Sequence, residues 1–328
     1  MSLPGSPPEP GPLRRVLDQV AQVVVGHHEA VVLALVALVA GGHVLLEDLP
    51  GVGKTTLATA LARSLGLSVR RVQGTADLLP ADLTGALVPD GSGELRFRPG
   101  PLFANIVLAD ELEAMEEAAV TVDGTTHRLP QPFLVLATQN PADSEGVFPL
   151  PQSQRDRFLL SLALGYPEPA DELELLTRGE LLGRADQLPA ALGPDELLGL
   201  RAAVDQVHVA PAVRQYLLEV LLETRRHPAV LVGPSPRAGL GLQRAARALA
   251  LVEGREFVVP RDLQQLAGPV LAHRVQLAPA AVLAGRRPAE VLAEVLARLP
   301  APGPGPLPGV DQPVAPARAG PRPRRAAP

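Results

Sequence analysis

Cysteine and tryptophan are absent from this chain of 328 residues, and aromatic residues make up only 2% of it. Without cysteine the chain can form no disulfide, no thiolate zinc site and no cysteine nucleophile. Apolar residues still account for 46% of the sequence, so a sizeable core must be built from leucine, valine and alanine. Lysine is nearly absent too: Lys54 is the only one, and every other basic side chain is arginine or histidine.

The chain also lacks a large excess of charge and an apolar run that could cross a membrane. Its net charge of −5 argues against a surface that binds nucleic acid or coats a membrane. The most apolar run, AVVLALVALVAGGHVLL at 30–46, falls short of the ~20 residues of a membrane-spanning helix and contains two glycines. The first residues, MSLPGSPPEPGP, lack the pattern of a signal peptide. We therefore expect a soluble, cytoplasmic protein without stable membrane insertion.

Short apolar runs alternate with helical patterns in the first half of the chain. This alternation predicts an α/β fold, a parallel sheet covered by helices on both faces. The predicted helices are Leu13–Val24 and Glu29–Ala40, and the predicted strands are His43–Glu47, Ser68–Gln73, Asn105–Asp110, Phe133–Asn140 and Phe158–Leu164. From Glu172 to about Leu299 the apolar spacing is helical and predicts an all-helical second domain. Its helices are expected near Pro194–Val207, Ala210–Arg226, Arg237–Glu253 and Pro260–Ala272.

These patterns divide the chain into four parts. Residues 1–12 are rich in proline and glycine and are predicted to be disordered, 13–165 to form the α/β domain, and 166–299 to form the helical domain. Residues 300–328 are rich in proline and arginine and cannot form a core. The arginines of this tail could contact an acidic partner or a lipid, but we favour a solvated tail.

The stretch EDLPGVGKTT at 47–56 lies between a predicted buried strand and a predicted helix, the usual context of a phosphate-binding loop. Glycines let backbone N–H groups converge on phosphate oxygens, and the helix N-terminus adds partial positive charge. Lys54 offers a compact ammonium that can follow the β- and γ-phosphates, which the planar fork of arginine does less well. The hydroxyl of Thr55 is a candidate Mg²⁺ ligand. A glycine-rich helix start with a surface lysine is the plainer alternative.

One position departs from the phosphate-loop pattern GxxxxGK[ST]. The pattern requires glycine at position 48, and this chain has Asp48. Because Gly51 can still supply the tight turn, we interpret the departure as minor.

Acidic and amide side chains follow two further predicted strands. In IVLADE, Asp110 would hold Mg²⁺ through water and Glu111 would polarise the attacking water. In LATQN, Asn140 lies at the tip of a strand, where it can orient the same water. A G-protein is excluded, because its guanine-reading Asn-Lys-x-Asp motif needs a second lysine.

Two segments bring arginines toward the same chemistry. PLPQSQRDRFLL carries Arg155 and Arg157 just before a predicted strand. An arginine directed out of the domain could reach a neighbouring subunit's γ-phosphate and stabilise the charge of the transition state. An arginine paired with Asp156 at a helix end is the alternative. GPSPRAGL begins a helix of the second domain with Arg237, again where it could meet phosphate.

Together these segments resemble the MoxR family of AAA+ ATPases, from about Val23 to Val282. Long stretches carry the resemblance, among them VVVG, HVLLEDLPGVGKT, RVQGTADLLPADLTGALV, GELRFRPGPLFANIVLADE, EGVFPLPQSQRDRFLL and GPSPRAGLGLQRAARALAL. The resemblance implies a P-loop AAA+ sheet, an all-α lid domain and a disordered tail. It also implies that VTVDGTTHRLPQP forms a hairpin inserted ahead of the sensor 1 strand.

The resemblance implies ATP and Mg²⁺ as cofactors and gives each candidate residue a role. The nucleotide-binding residues that it implies are Val25, Gly26, Pro50, Gly51, Val52, Gly53, Lys54, Thr55, Thr56 and Asp110. Thr55 and Asp110 would hold the metal. The catalytic residues that it implies are Glu111 of Walker B, Asn140 as sensor 1, Arg157 as arginine finger and Arg237 as sensor 2. Proteins of this kind are similar to hexameric, chaperone-like rings that often work with von Willebrand factor A domain partners.

The chain departs from the family directly after Walker B. A segment like INRAPPKTQSAL usually precedes LEAME, but here Glu111 runs straight into Leu112. A parallel crossover needs a dozen or more residues. Only about eight residues after Glu111, Leu112–Ala119, look helical, which gives ~12 Å of rise. We expect the hairpin to supply the rest so that the sheet closes, but Glu111 and the subunit-facing surface to be poorly supported. Nucleotide binding should then survive better than hydrolysis; an error in the gene sequence would leave the same pattern.

The leading hypothesis is an ATP-hydrolysing remodelling machine that forms a ring, in which Arg157 completes the neighbour's site. The alternative is a nucleotide-binding scaffold with impaired hydrolysis. A DNA-acting AAA+ protein is disfavoured by the acidic net charge, the scarcity of aromatics and the single clear hairpin arginine, Arg128. His27 and His28 are adjacent and cannot share a helical face as metal ligands.

Overall fold

The computed structural model of the chain describes residues 11–49, 51–73, 79–89, 91, 94–110, 119–122, 125–139, 150–179 and 182–303; for 110, 119–122 and 182–184 it describes the backbone. The helices, in chain order, are α1 Pro12–Val20, α2 His28–Ala40, α3 Lys54–Ser64, α4 Pro80–Thr84, α5 Gln152–Arg155, α6 Pro169–Thr177, α7 Pro194–Val204, α8 Pro211–Arg226, α9 Pro236–Val252, α10 Pro260–Leu271, α11 Pro279–Leu283 and α12 Pro288–Arg298. The strands are β1 Val44–Glu47, β2 Val69–Gln73, β3 Gly85–Pro89, β4 Leu95–Pro99, β5 Ile106–Asp110, β6 Ala119–Val122, β7 Thr125–Arg128, β8 Leu134–Gln139, β9 Leu160–Leu162, β10 Val230–Val232 and β11 Gln276–Leu277. Residues 182–187 and 272–274 form short 3₁₀ helices.

A five-stranded parallel sheet with strand order β2-β5-β8-β1-β9 forms the centre of the first domain. Strand β1 lies between β8 and β9, so the first strand of the sheet has later strands on both sides. In open parallel sheets ligands bind beyond the carboxyl ends of the strands, where the strand order reverses. The fold therefore places the loop that follows β1 at the usual ligand-binding edge.

The central strands are buried because their sequences are apolar without interruption. All six residues of β8 and the first three of β1 are buried, which is typical of a parallel sheet covered on both faces. Helix α2 is apolar on all sides and has ten buried residues. It ends at Gly41, whose φ of +70° no other residue type adopts as easily. The apolar run at 30–46 is thus a core helix followed by a core strand.

Two separate apolar clusters cover the two faces of the sheet. The larger one, which we call the helix-side cluster, joins α1, α2 and α3 to the helices of the second domain without a break. The smaller one, which we call the loop-side cluster, consists of Leu45, Val72, Leu102, Ala104, Val107, Ala109, Leu129, Phe133, Val135, Ala137 and Phe158. Leu83 of α4 packs against it, together with irregular segments.

The second domain packs on the end of α2 through two arginines. Arg201 of α7 donates to the Leu38 carbonyl at 2.8 Å, and Arg244 of α9 donates to the Ala40 carbonyl at 2.5 Å. Both carbonyls lie in the last turn of α2, where intrahelical partners are lacking. Cations at this end also interact favourably with the helix dipole. The second domain is therefore fixed to the first by polar contacts as well as by the shared core.

Two antiparallel hairpins extend from the sheet. β3 pairs with β4, and β6 pairs with β7. The rings of Phe97 and His127 stack with centroids 3.8 Å apart, and Phe103 meets both edge-on. The two hairpins are thus joined to each other through aromatic side chains.

The structure confirms the five strands and corrects several details of the sequence-based prediction. β5 pairs with β8 over its whole length, so the sheet does close across the short crossover, and β6–β7 is the expected hairpin. The β3–β4 hairpin was not predicted. Ala119, expected at a helix end, begins β6, because its segment pairs with β7. α1 ends at Val20 instead of Val24.

The expectation of an exclusively helical second domain was wrong in one detail. β10 and β11 form a two-stranded antiparallel ribbon inside it. β-branched Val230 and Val232 favour an extended backbone there, and Ala229, Ala281 and Val291 form a small core beside the ribbon. The terminal segments predicted to be disordered lie largely outside the described residues. Within the described part of the chain, no helix has the length and apolarity that a membrane crossing requires.

Candidate functional site

The loop after β1 has the backbone of an anion cradle. Gly51 and Gly53 have φ of +86° and +99°, the left-handed region that glycine adopts without strain. Helix α3 begins directly afterwards at Lys54, and no side chain caps its first turn. Uncapped N–H groups at a helix start attract negative charge. Pro50, which the sequence analysis included in this loop, lies outside the described residues.

Lys54, the single lysine, lies at the first position of this helix. Its Nζ donates to the carbonyl oxygen of Asp48 at 3.0 Å. An ammonium has three N–H groups, so this bond orients the side chain and leaves two donors for another partner. Thr55 and Thr56 follow, the first exposed and the second half-buried.

A cavity of about 430 Å³ opens beside the loop. Gly51, Val52, Gly53 and Thr56 line one side, and Val23 to Val25 line another. The third side is formed by residues of α6 and of the segment before it, namely Tyr166, Pro167, Glu172, Leu175 and Leu176. Its volume lies within the range of small-molecule sites. Sequence segments that are far apart in the chain thus meet around one pocket with a polar loop at one end and an apolar wall at the other.

Gly26, predicted to lie against a base, lies between the lining residues Val25 and His27. Its φ is +80°. A Cβ added to it would stand 3.0 Å from Asp171 Oδ2 and 3.1 Å from the Cβ of Pro167. Only glycine therefore permits both the backbone conformation and the close approach of the wall.

The predicted acidic and amide residues follow the neighbouring strands. Asp110 ends β5, with Thr138 of β8 opposite it, and β8 ends at Gln139 beside Glu47 of β1. The parallel register thus brings the ends of β1, β5 and β8 to one edge of the sheet. The structure describes Asp110 by its backbone only, while Glu111 and Asn140 lie outside the described residues.

Of the predicted arginines, Arg155 has a partner that sequence reasoning missed. Its Nη2 lies 2.9 Å from Oε1 of Glu47, and Ser161 donates to the other oxygen of that carboxylate. The alternative was that an arginine of this segment pairs with Asp156. In the structure Asp156 pairs with an arginine of the second domain: its Oδ1 lies 2.9 Å from Nε of the buried Arg274.

Arg157 and Arg237 differ in exposure. Arg157 is half-buried and follows α5, while Arg237 is exposed in the first turn of α9. Burial lowers the pKa of Arg274, Asp156 opposes that effect, and the positive charge of Arg237 lowers it further. Arg237 is therefore close enough to Arg274 for its positive charge to lower the pKa of Arg274. The structure brings Arg237 and Arg274 together in the second domain, beside the segment that carries Arg157.

Two histidines, the half-buried His43 and the buried His273, have lowered pKa values. Burial, and next the charge of Arg201, lowers the pKa of His43 to about 4. Burial, and next the charge of Arg274, lowers the pKa of His273 to about 3. Both rings therefore stay neutral at physiological pH. Among the described residues, no group of three or more metal-binding side chains occurs.

Asp48, interpreted from the sequence as a minor departure, accepts three hydrogen bonds from backbone amides. It is 4% exposed. Oδ1 accepts the N–H of Leu49 at 2.9 Å, and Oδ2 accepts those of Leu164 and Gly165 at 2.5 and 3.0 Å. The last two belong to the segment between β9 and α6. Pattern matching could not reveal this role, because the partners lie more than a hundred residues away.

Parts of the chain match two protein-family models. Residues 43–160 match the ATPase family associated with various cellular activities (AAA), and residues 222–295 match the AAA lid domain. The first match covers the glycine loop and the strands of the sheet up to the beginning of β9, and the second lies within the helical domain.

Individual proteins are similar over most of the chain. Uncharacterized protein YeaC of Bacillus subtilis is 42% identical over 297 residues, 87% of this chain and 93% of YeaC. Chaperone MoxR1 of Mycobacterium tuberculosis is 40% identical over 288 residues, 81% of this chain and 76% of MoxR1. A solved structure of a Cytophaga hutchinsonii protein superposes with a TM-score of 0.82 at 32% identity, covering 89% of this chain and 95% of that one.

Proposed function

Because the chain belongs to the MoxR family of AAA+ ATPases, we propose that it binds ATP with Mg²⁺ in the 430 Å³ cavity and hydrolyses it. Hydrolysis would drive chaperone-like remodelling or maturation of a protein complex in the cytoplasm. The observation that carries the proposal is the glycine loop, which ends in an uncapped helix start and the only lysine of the chain. That cradle fits a phosphate chain, and the apolar wall opposite fits a base.

The phosphate end of the site is assigned to the loop and α3. The amides of residues 51–56 and the ammonium of Lys54 would hold the phosphates. Thr55 and Asp110 would hold Mg²⁺, which when bound neutralises charge on the phosphate oxygens. Val25 and Gly26 would lie against adenine.

The catalytic roles are assigned to four residues. Glu111 would polarise the attacking water, and Asn140 would orient it. Arg157 would act on the nucleotide of a neighbouring copy in a ring, which we propose to be a hexamer. Arg237 would contact phosphate from the lid domain. We propose self-assembly as the principal interaction and a von Willebrand factor A domain protein as a further partner.

Titration with a fluorescent ATP analogue tests nucleotide binding. Lys54→Ala should weaken binding by about 100-fold or more, because a charge-assisted contact to phosphate is lost without replacement. Lys54→Arg should weaken it less, since the charge remains but the planar group fits poorly. Arg63→Ala, in the exposed last turn of the same helix, is the matched control and should leave affinity unchanged. Undiminished affinity in Lys54→Ala would refute the site.

Phosphate release tests hydrolysis separately. The wild type should release phosphate in the presence of Mg²⁺, and Glu111→Gln should reduce the rate by about 100-fold while still binding ATP. If both proteins bind ATP and neither releases phosphate, the protein is a nucleotide-binding scaffold and not an ATPase. A size measurement with and without ATP tests the ring.

A further inference from the structure

The carboxylate of Asp48 connects the phosphate loop to the opposite wall of the cavity. One carboxylate oxygen is bonded within the loop, to the N–H of Leu49, and the other holds the amides of Leu164 and Gly165. The carbonyl of the same residue accepts Lys54 Nζ. A single buried residue thus contacts the loop, the lysine and the chain leaving β9.

The segment held by Asp48 leads directly into the cavity wall. Gly165 has a φ of +70° and turns the chain toward Tyr166 and Pro167, which line the cavity. Helix α6 follows and contributes Leu175 and Leu176 to the lining. The position of the wall therefore depends on where residues 164 and 165 are held.

Helix α6 has little packing of its own to fix it. None of its residues is buried, and Leu173 and Leu176 are 64% and 79% exposed. Its Asp171 lies close to Gly26, where an added Cβ would be 3.0 Å from Asp171 Oδ2. An element with so few buried contacts takes its position from the bonds at its ends.

We propose that Asp48 is a positioning residue that sets the distance between the phosphate loop and the apolar wall, and thereby gives the site its affinity for the nucleoside part of ATP. This inference rests on the proposed function. A nucleotide has to contact the loop with its phosphates and the wall with its base at the same time. A buried carboxylate bonded to both parts holds that span fixed before the ligand arrives, which reduces the ordering that binding would otherwise require.

The contribution of Asp48 is separable from general folding by comparing two ligands. ATP uses both ends of the site, whereas inorganic triphosphate uses only the loop. Both can be measured in the full-length protein, with Mg²⁺, by competition against the fluorescent ATP analogue. Asp48→Ala should weaken ATP binding about tenfold and change triphosphate binding by less than about twofold. Asp48→Asn, which keeps one acceptor oxygen, should show an intermediate loss for ATP only.

A second variant changes the same connection from its other end. Gly165→Ala has open space around the new methyl group but an unfavourable φ, so it shifts the segment without touching the phosphate loop. It should reproduce the selective loss of ATP affinity. It also provides the test if Asp48→Ala does not fold.

Tyr166→Trp gives a spectroscopic measure of the wall, because the chain contains no tryptophan. Its emission should change when the non-fluorescent analogue AMP-PNP is added to the otherwise wild-type protein, and this change should be much smaller in combination with Asp48→Asn. If Asp48 only stabilised the fold, Asp48→Asn would lower stability but leave the change in tryptophan emission per bound nucleotide intact.

The outcomes separate the two proposals. If wild type binds neither ligand, or if Lys54→Ala binds both normally, the proposed function fails. If wild type binds both and the Asp48 and Gly165 variants lose ATP and triphosphate equally, or lose neither, the positioning role is refuted while the nucleotide site stands.

Discussion

Among the residues that the structure describes, the two faces of the sheet carry apolar clusters of different size. The helix-side cluster runs through three helices of the first domain into the second domain, whereas the loop-side cluster has eleven buried members there. The glycine loop and α3 rest on the first face. Helix α3, which follows the phosphate loop, therefore shares a core with the second domain, whereas the described residues of the loop-side cluster form a separate, smaller core. We therefore expect substitutions on the two faces to differ in cost, in a way that unfolding experiments can measure.

A matched pair of leucines tests this difference most strongly. Leu61→Ala in α3 should lower the free energy of unfolding by about 4 kcal/mol, because its fully buried site cannot collapse. Leu102→Ala, in an irregular segment of the loop-side cluster, should cost about 2 kcal/mol, because the segment can move into the space. Urea denaturation measures both; equal costs would show that the two faces are equally rigid.

Arg274 joins the loop-side cluster to the second domain. It donates to the carbonyls of Phe158 and Leu159 and pairs with Asp156. Arg274→Leu should cost about 3 kcal/mol, since it leaves a carboxylate and buried carbonyls without a partner. Arg14→Ala breaks an exposed ion pair with Asp18 and should cost less than about 0.5 kcal/mol in the same denaturation experiment. A small effect of Arg274→Leu would mean that the shared core and the contacts of Arg201 and Arg244 hold the second domain without Arg274.

Acid should loosen the loop-side cluster, because both low-pKa histidines contact it. His43 meets Phe133 edge-on, and His273 is bonded to the Phe158 carbonyl. In the folded protein His43 stays neutral down to about pH 4, and His273 to about pH 3, whereas the unfolded chain takes up these protons near pH 6.5. The unfolded state then binds more protons, so stability falls as the pH falls from 6.5 toward 4.

For each histidine, the free energy of unfolding should fall by about 1.4 kcal/mol for every pH unit between the pKa of the unfolded chain and that of the folded protein. His43→Gln should remove about 2 kcal/mol of the difference in stability between pH 7 and pH 5, as measured by denaturation at each pH. A slope unchanged by both His43→Gln and His273→Gln would show that carboxylates dominate the acid response.

A small effect is also expected for the ion pair between Glu47 and Arg155. Both side chains are about one third exposed, so solvent screens the pair. Glu47→Gln should therefore lower stability by less than about 1 kcal/mol. A loss above 2 kcal/mol would show that this pair, and not the apolar layer, supports the loop-side edge.

The sequence was sufficient to predict the parts of the fold that follow local rules. Uninterrupted apolar runs predicted the five strands, and the glycine pattern predicted the loop ahead of α3, because each depends on neighbouring residues. The β3–β4 hairpin was missed, since its residues are largely exposed and lack a clear alternation. The contacts of Asp48, Glu47 and Arg274 were missed for another reason: their partners are distant in sequence, and a single chain gives no signal for such pairs.

The stack of Phe97 on His127 has a consequence for how force would travel through the molecule. A load applied to the tip of one hairpin is shared by the other, because the two rings cannot separate without losing their contact. Both hairpins precede strands of the sheet, β5 and β8, at the amino ends. Tension on either hairpin would therefore be transmitted along both adjacent strands to their last residues, Asp110 and Gln139.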